Sequence, residues 1–299
     1  MLVAGVLTGN LLGFGRVAAT AYLLGTHSRA DSLAVAMGPM DTLNSLLLNS
    51  VVFAFVPMLT ACSGAARTAL FLKLTRCFLL VSSTITAAVI IGAPWLMRVL
   101  APGLDPQYFA TSVTVLRILA LSTAAAGTGG VQCALLYTGR RFAPTAFYQA
   151  VLNAFTIVSA LVLWKFLGVY AFAVGYTAGS WAQFGLVYFA ARSGLDTAGA
   201  AECEVDWRDL LAKPVFFVVY AVGLGLNITF TRAYATHAGP GMAAALDYCM
   251  RGVGVPMALL VSPISNSLLP EIARLHAEEY GKGERTRCQV RSCRAVVTS

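Results

Sequence analysis

A chain of 299 residues that is 58% hydrophobic and only 11% charged, with a mean hydropathy of +0.74, lacks the polar side chains needed to cover a water-soluble core, where roughly 25% of residues are charged. A soluble globular domain is thereby excluded. The net charge of +8 would point to nucleic acid in a soluble protein, but here Lys and Arg fall between apolar runs and report topology instead.

Residues 1–28 supply a first span, with Arg16 inside it. Met1 opens directly on apolar sequence with no basic n-region, so residues 1–24 are expected to be a retained span and not a cleaved signal peptide. Further along, 42–66, 77–97, 118–139, 142–164, 166–191, 214–231 and 252–270 contain no Asp, Glu, Lys or Arg. Each can cross a hydrocarbon core of about 30 Å as a helix. The expected fold is an all-α integral membrane protein, a polytopic bundle of about eight transmembrane helices. Its expected parts are a six-helix N-terminal lobe (1–191), a cytoplasmic inter-lobe segment (192–213), the first two helices of a second lobe (214–280) and a disordered basic tail (281–299).

The connections after the second, fourth, sixth and eighth spans carry Arg67, Lys73, Arg76, Arg140, Arg141, Arg192, Arg208, Lys213, Arg274, Lys282, Arg285, Arg287, Arg291 and Arg294. The opposite side carries only Arg29, Arg98, Lys165 and Arg232, with Arg117 at the edge of the fourth span. Both termini are therefore expected on the cytoplasmic side.

The first two spans are echoed after residue 213. Arg16 and Asp31 recur as Arg232 and Asp247, both at an offset of 216 residues, and Pro39 and Pro57 recur near that offset as Pro256 and Pro270. Such internal repeats mark transporters that rock one lobe against another around a central site. On this reading the second lobe holds two of its six helices. The run 286–294 shows no helical or strand period, so the chain is expected to be a truncation after the eighth helix.

Charges within spans are costly, about 2.5–3.5 kcal/mol each near a bilayer centre, and face protein or a cavity. Asp247 and Arg251 lie four apart on one helix face, in the favourable acid-before-base order. Asp41, Asn44, Ser45 and Asn49 form a polar stripe on the second helix, beside the bend expected at Gly38-Pro39. On the first helix, Gly5, Gly9 and Gly13 make a ridge for close helix packing. Arg16 follows on nearly the same side, pointing inward or snorkelling to the headgroups. Cys62, Cys77, Cys133, Cys203 and Cys249 are expected to act as small hydrophobes, and Cys288 and Cys293 lack the further ligands of a zinc site. No Ser/His/Asp set, phosphate loop or metal motif argues for an enzyme, a catalytic residue or a cofactor.

In these residues the sequence resembles the MurJ/MviN lipid II flippases of the MOP exporter superfamily. The matching stretches are Leu12-Gly13-Phe14-Gly15-Arg16, Leu24-Gly25, Ala30-Asp31, Ala54-Phe55-Val56-Pro57, Ala101-Pro102-Gly103, Leu246-Asp247-Tyr248 through Arg251 to Pro256, and Ser267 through Arg274. The resemblance implies two six-helix lobes around a cationic cavity, usually with two extra helices, and alternating access that moves a polyprenyl-diphosphate-linked peptidoglycan precursor. It maps cavity arginines onto Arg16 and Arg251 and an acid onto Asp31. It also marks departures: Asn10 stands where the family often has a basic residue, Leu43 and Asn44 replace a basic pair, and Met250 replaces an acid.

The expected substrate-binding residues are Arg16, Arg251, Asn10 and Asn44, and the expected gating or ion-pair residues are Asp31, Asp41 and Asp247. The expected partners are a lipid-linked glycan and the bilayer, without nucleic acid and with homo-oligomerisation open. The expected location is the inner (plasma) membrane. The alternatives are an exporter of lipid-linked oligosaccharide for surface polysaccharide in the same superfamily, or a non-transporting membrane remnant or scaffold. With one lobe and two helices, the chain alone is expected not to flip its substrate.

Overall fold

The computed structural model describes residues 2–62, 64–193, 195, 223, 227 and 229–256. Apart from residues 192, 193 and 195, the expected inter-lobe segment lies outside them. So do most of the seventh span, the end of the eighth, the Cys288/Cys293 pair and the tail.

Every regular element among the described residues is a helix: α1 Leu2–Leu24, α2 Ser28–Ala61, α3 Gly64–Leu100, α4 Pro106–Thr138, the single turn α5 Ala143–Ala146, α6 Tyr148–Leu167, α7 Tyr170–Arg192, helical residues 229–237 (α8), and α9 Met242–Pro256. Four of them, α2, α3, α4 and α6, are long and apolar enough to cross a membrane. Helices α1 and α7 have 23 residues each, or about 35 Å at 1.5 Å per residue. The 37 residues of α3 exceed a 30 Å core by far, so its basic first turns project beyond the hydrocarbon.

The centre of the bundle is α4, which packs against α2, α3 and α7 and is buried on nearly every side from Leu119 to Leu136. Lipid tails are as apolar as leucine, so helices in a bilayer associate through close packing, and small residues permit it. Helix α4 accordingly runs Ala124-Ala125-Ala126-Gly127-Thr128-Gly129-Gly130, and a Cβ at Gly130 would stand 2.9 Å from Val51 Cβ of α2. The first turn of α4 is fixed by Asp105, whose carboxylate accepts from Gln107 N at 3.1 Å ahead of Pro106, the usual chemistry of an N-terminus.

The glycine ridge of α1 lies on α5 and α6, with Gly5 against Ala146, Gly9 against Gln149 and Ala150, and Gly13 against Asn153. Asn153 Nδ2 donates to Gly9 O at 3.0 Å across that seam. Pro94 interrupts α3 by lacking the N–H that would bond Ile90 O. Arg117 of α4 fills the gap, its Nε donating to Ile90 O at 3.2 Å. Cys77, Cys133 and Cys249 are free thiols, whereas Cys62 is disulfide-bonded, which corrects its expected role as a plain small hydrophobe.

Residues 1–251 form one compact unit; of the second, 252–299, only 252–256 are described. Two apolar clusters lie within the first unit. One holds Leu33, Met40, Leu116, Leu119 and Phe172 together with Ala243 and Ala244 of α9; the other holds Phe55, Leu59, Phe71, Leu74 and Leu136. The charged site lies beside the first. Gly25, in the α1–α2 corner, and Gly241, in the α8–α9 corner, both have positive φ (60° and 84°). They stand 216 residues apart, the offset that relates Arg16 to Arg232.

Candidate functional site

Helix α1 brings in Arg16 three residues beyond its glycine ridge, so packing that seam turns the arginine inward. Helix α2 contributes Asp41, just after Gly38-Pro39. From the other direction α8 contributes Arg232, and α9 contributes Asp247 and Arg251 on one face.

These five side chains form a continuous chain of opposite charges. Arg16 Nη2 lies 3.5 Å from Asp41 Oδ2, and Arg251 Nη2 donates to the same oxygen at 2.9 Å. Arg251 Nε donates to Asp247 Oδ2 at 2.8 Å, and Asp247 Oδ1 accepts from Arg232 Nη2. Arg16 is 5% exposed and Arg232 and Asp247 8%, so the pairs operate with little water around them, where Coulomb attraction and desolvation are both large. Three guanidinium groups meet two carboxylates, leaving one positive charge over. Arg16 Nη1 and Arg232 Nε have no hydrogen-bond partner among the described residues, and the Arg16 guanidinium stands 5.8 Å from the centroid of the Tyr176 ring, within cation–π range. A small pocket lined by Arg16, Thr20, Asp247, Tyr248 and Arg251 with apolar residues of α2 adjoins the chain, with room for about one water molecule.

The corners on either side of this site interlock. Asp31 accepts from the backbone N–H of Gly241 and, at 2.8 Å, of Ala244, capping α9 from another helix, where the positive end of the helix dipole favours a carboxylate. Tyr248 donates in return to Gly25 O at 3.1 Å, and Thr236 Oγ1 accepts from Gly103 N at 3.1 Å. Gly103 and Gly241 permit this approach: a Cβ on either would overlap the backbone of Thr236 or Thr26.

Of the residues singled out from sequence, Arg16, Asp41, Asp247 and Arg251 stand in one chain of ion pairs. Asp31 joins no ion pair among the described residues; its carboxylate accepts instead from the backbone N–H groups at the start of α9. Asn44 is buried and donates to Ser122 Oγ at 2.7 Å and Tyr176 Oη at 3.4 Å, an interhelical role one residue removed from Arg16. Asn10 is half-buried and joins none of these bonds. Ser45 and Asn49 are exposed while Asn44 is buried, so the polar residues of the expected stripe do not share one environment. Arg232 was expected in an extracytoplasmic loop; it is a buried helical residue. Its equivalence to Arg16 at the 216-residue offset was the signal for it. Tyr176 carried no such signal.

The fold and the buried, ion-paired charges define a polytopic membrane helix bundle. A family model described as "Lipid II flippase MurJ" matches residues 20–295, and the chain belongs to that family. A curated relative named "Lipid II flippase MurJ", from Burkholderia cenocepacia, is 27% identical over 91% of this chain and 56% of its own length. A solved structure titled "Lipid II flippase MurJ, inward closed conformation" superposes with a TM-score of 0.69 at 16% identity, covering 91% of this chain and 58% of that one; at that identity the likeness speaks for the fold. The chain thus spans a little over half the length of the relatives it matches.

Proposed function

We propose that this chain binds the diphosphate of a polyprenyl-linked peptidoglycan precursor between Arg16 and Arg251, as part of a MurJ-type flippase of the inner membrane that works by alternating access. The observation that carries this reading is the buried chain Arg16–Asp41–Arg251–Asp247–Arg232, which holds one guanidinium more than its carboxylates can neutralise. An excess cation inside a membrane bundle is costly, and an anionic ligand offsets that cost. Diphosphate oxygens match the planar fork of arginine bidentately. Asp41 already bridges Arg16 and Arg251; it holds the place a phosphate would take, and its displacement on ligand entry makes it the gating acid. Asp31 clasps α9 at one end of the site, and release of its two backbone bonds frees α9 to move away from α2, a hinge motion of the kind alternating access needs. With both termini cytoplasmic, as the distribution of Lys and Arg supports, that clasp lies on the extracytoplasmic side.

The test is native mass spectrometry of the purified chain with undecaprenyl diphosphate and undecaprenyl monophosphate. The wild-type chain is expected to retain the diphosphate preferentially, and Arg16→Ala and Arg251→Ala to lose it. No diphosphate adduct on the wild type, or equal retention by both variants, contradicts the reading.

A further inference from the structure

Arg232 touches no ligand in the reading above, yet it is buried and firmly seated. It lies 8% exposed in α8, donates to Asp247, and lies so close to the α2 backbone that a Cβ on Gly38 would overlap its guanidinium. Its partner Asp247 is shared: one carboxylate oxygen takes Arg232 and the other takes Arg251. Arg251 is in turn divided between Asp247 and Asp41. For Arg251 to turn its fork to a phosphate it must leave at least one of these carboxylates, and a carboxylate abandoned in an apolar interior is heavily penalised.

We infer that Arg232 is a positioning residue of the diphosphate site: seated on Gly38, it retains Asp247 so that Arg251 is free to leave that carboxylate for the ligand. The inference rests on the proposed diphosphate reading of Arg16 and Arg251, which it deepens. Without Arg232, Asp247 has Arg251 as its sole counter-charge in the chain and holds it, so the ligand competes against a fixed internal anion. The seat explains why the retained arginine is Arg232 and not Arg251. Gly38 leaves room for a guanidinium against the α2 backbone, while Arg251, with a side chain 27% exposed, lines the pocket.

The experiment measures binding of farnesyl diphosphate to the full chain in detergent micelles, with variants first checked for monodispersity. Arg232→Met keeps the length and removes the charge; it is expected to weaken binding by about tenfold or more, as for other broken buried charge pairs. Adding Asp247→Asn to that variant removes the competing carboxylate and should return affinity to within about threefold of wild type, which loss of a merely structural arginine would not allow. Arg232→Lys, which keeps the charge, recovers part of the loss. Should Arg232→Met aggregate, Gly38→Ala displaces the guanidinium without removing its charge, and the same loss with rescue by Asp247→Asn is expected. Unchanged affinity in Arg232→Met, or a loss that Asp247→Asn does not rescue, overturns the role of Arg232 while leaving the diphosphate site standing. A wild-type chain that binds no farnesyl diphosphate overturns the site itself.

Discussion

At the scale of single residues, Asp41 bears the most consequence, because its Oδ2 alone holds Arg16 and Arg251 together. Asp41→Asn leaves three guanidinium groups with one carboxylate. Breaking a buried pair in this way costs about 3 kcal/mol or more, so the unfolding midpoint in detergent should fall. Added diphosphate should recover a larger part of that loss than in wild type, since the ligand then supplies the missing anion; a thermal-shift titration reads both effects. Of the ion-paired residues, Arg16 was legible because it stands inside an apolar span, Asp41 because it heads a row of polar residues on the second helix, and Asp247 and Arg251 because acid and base fall four residues apart on one helix face. Arg232 was not. It directly follows the uncharged stretch 214–231, so hydropathy puts it at a boundary, and its seat on Gly38 is a tertiary fact that no local pattern encodes. Asn10 was chosen by family position and Asn44 by that and the polar row on the second helix, and neither says which neighbour a side chain meets.

Among the elements, helices were legible and their ends were not. Charge marks where hydrocarbon stops, whereas α3 continues to Gly64, well before the uncharged stretch begins at Cys77. The expected span 142–164 is broken instead into α5 and α6 at Phe147. The ridge of α1 gives a graded prediction. A Cβ on Gly5 would lie within 3.0 Å of the Ala146 backbone, while one on Gly13 meets first the movable amide of Asn153 at 3.2 Å. Gly5→Ala should therefore destabilise the chain by about 1–3 kcal/mol through overpacking, and Gly13→Ala by less, as thermal unfolding of the two variants will show. The clasp at the other end is tested by Asp31→Ala, which removes the acceptor for two N–H groups of α9 and should cost about 0.5–2 kcal/mol of helix capping. Hydrogen exchange should rise at Gly241 and Ala244 and stay unchanged in the buried centre of α4; exchange unchanged at α9 would show that Asp31 does not hold it.

For the molecule as a whole, family membership and the helix-bundle fold followed from patterns that extend over most of the chain: long apolar runs and dispersed matching stretches in the right order. The two-lobe expectation drew on the 216-residue offset; the positive-φ glycines Gly25 and Gly241 stand at the same offset. The proposed orientation places the α6–α7 turn outside and the α4–α5 turn inside. Lys165→Cys should accordingly react with an impermeant thiol reagent in intact cells, and Arg140→Cys only after the membrane is opened. The central claim is that Arg16 and Arg251, beside a pocket with room for about one water molecule, part from Asp41 to admit a diphosphate. Its most direct test is the reactivity of Thr20→Cys, which lines that pocket, in a chain whose own cysteines are replaced by serine. A small charged thiol reagent should modify Thr20→Cys in the free protein, and undecaprenyl diphosphate should protect it far better than the monophosphate does; a thiol that is unreactive, or equally reactive with and without diphosphate, would contradict the account.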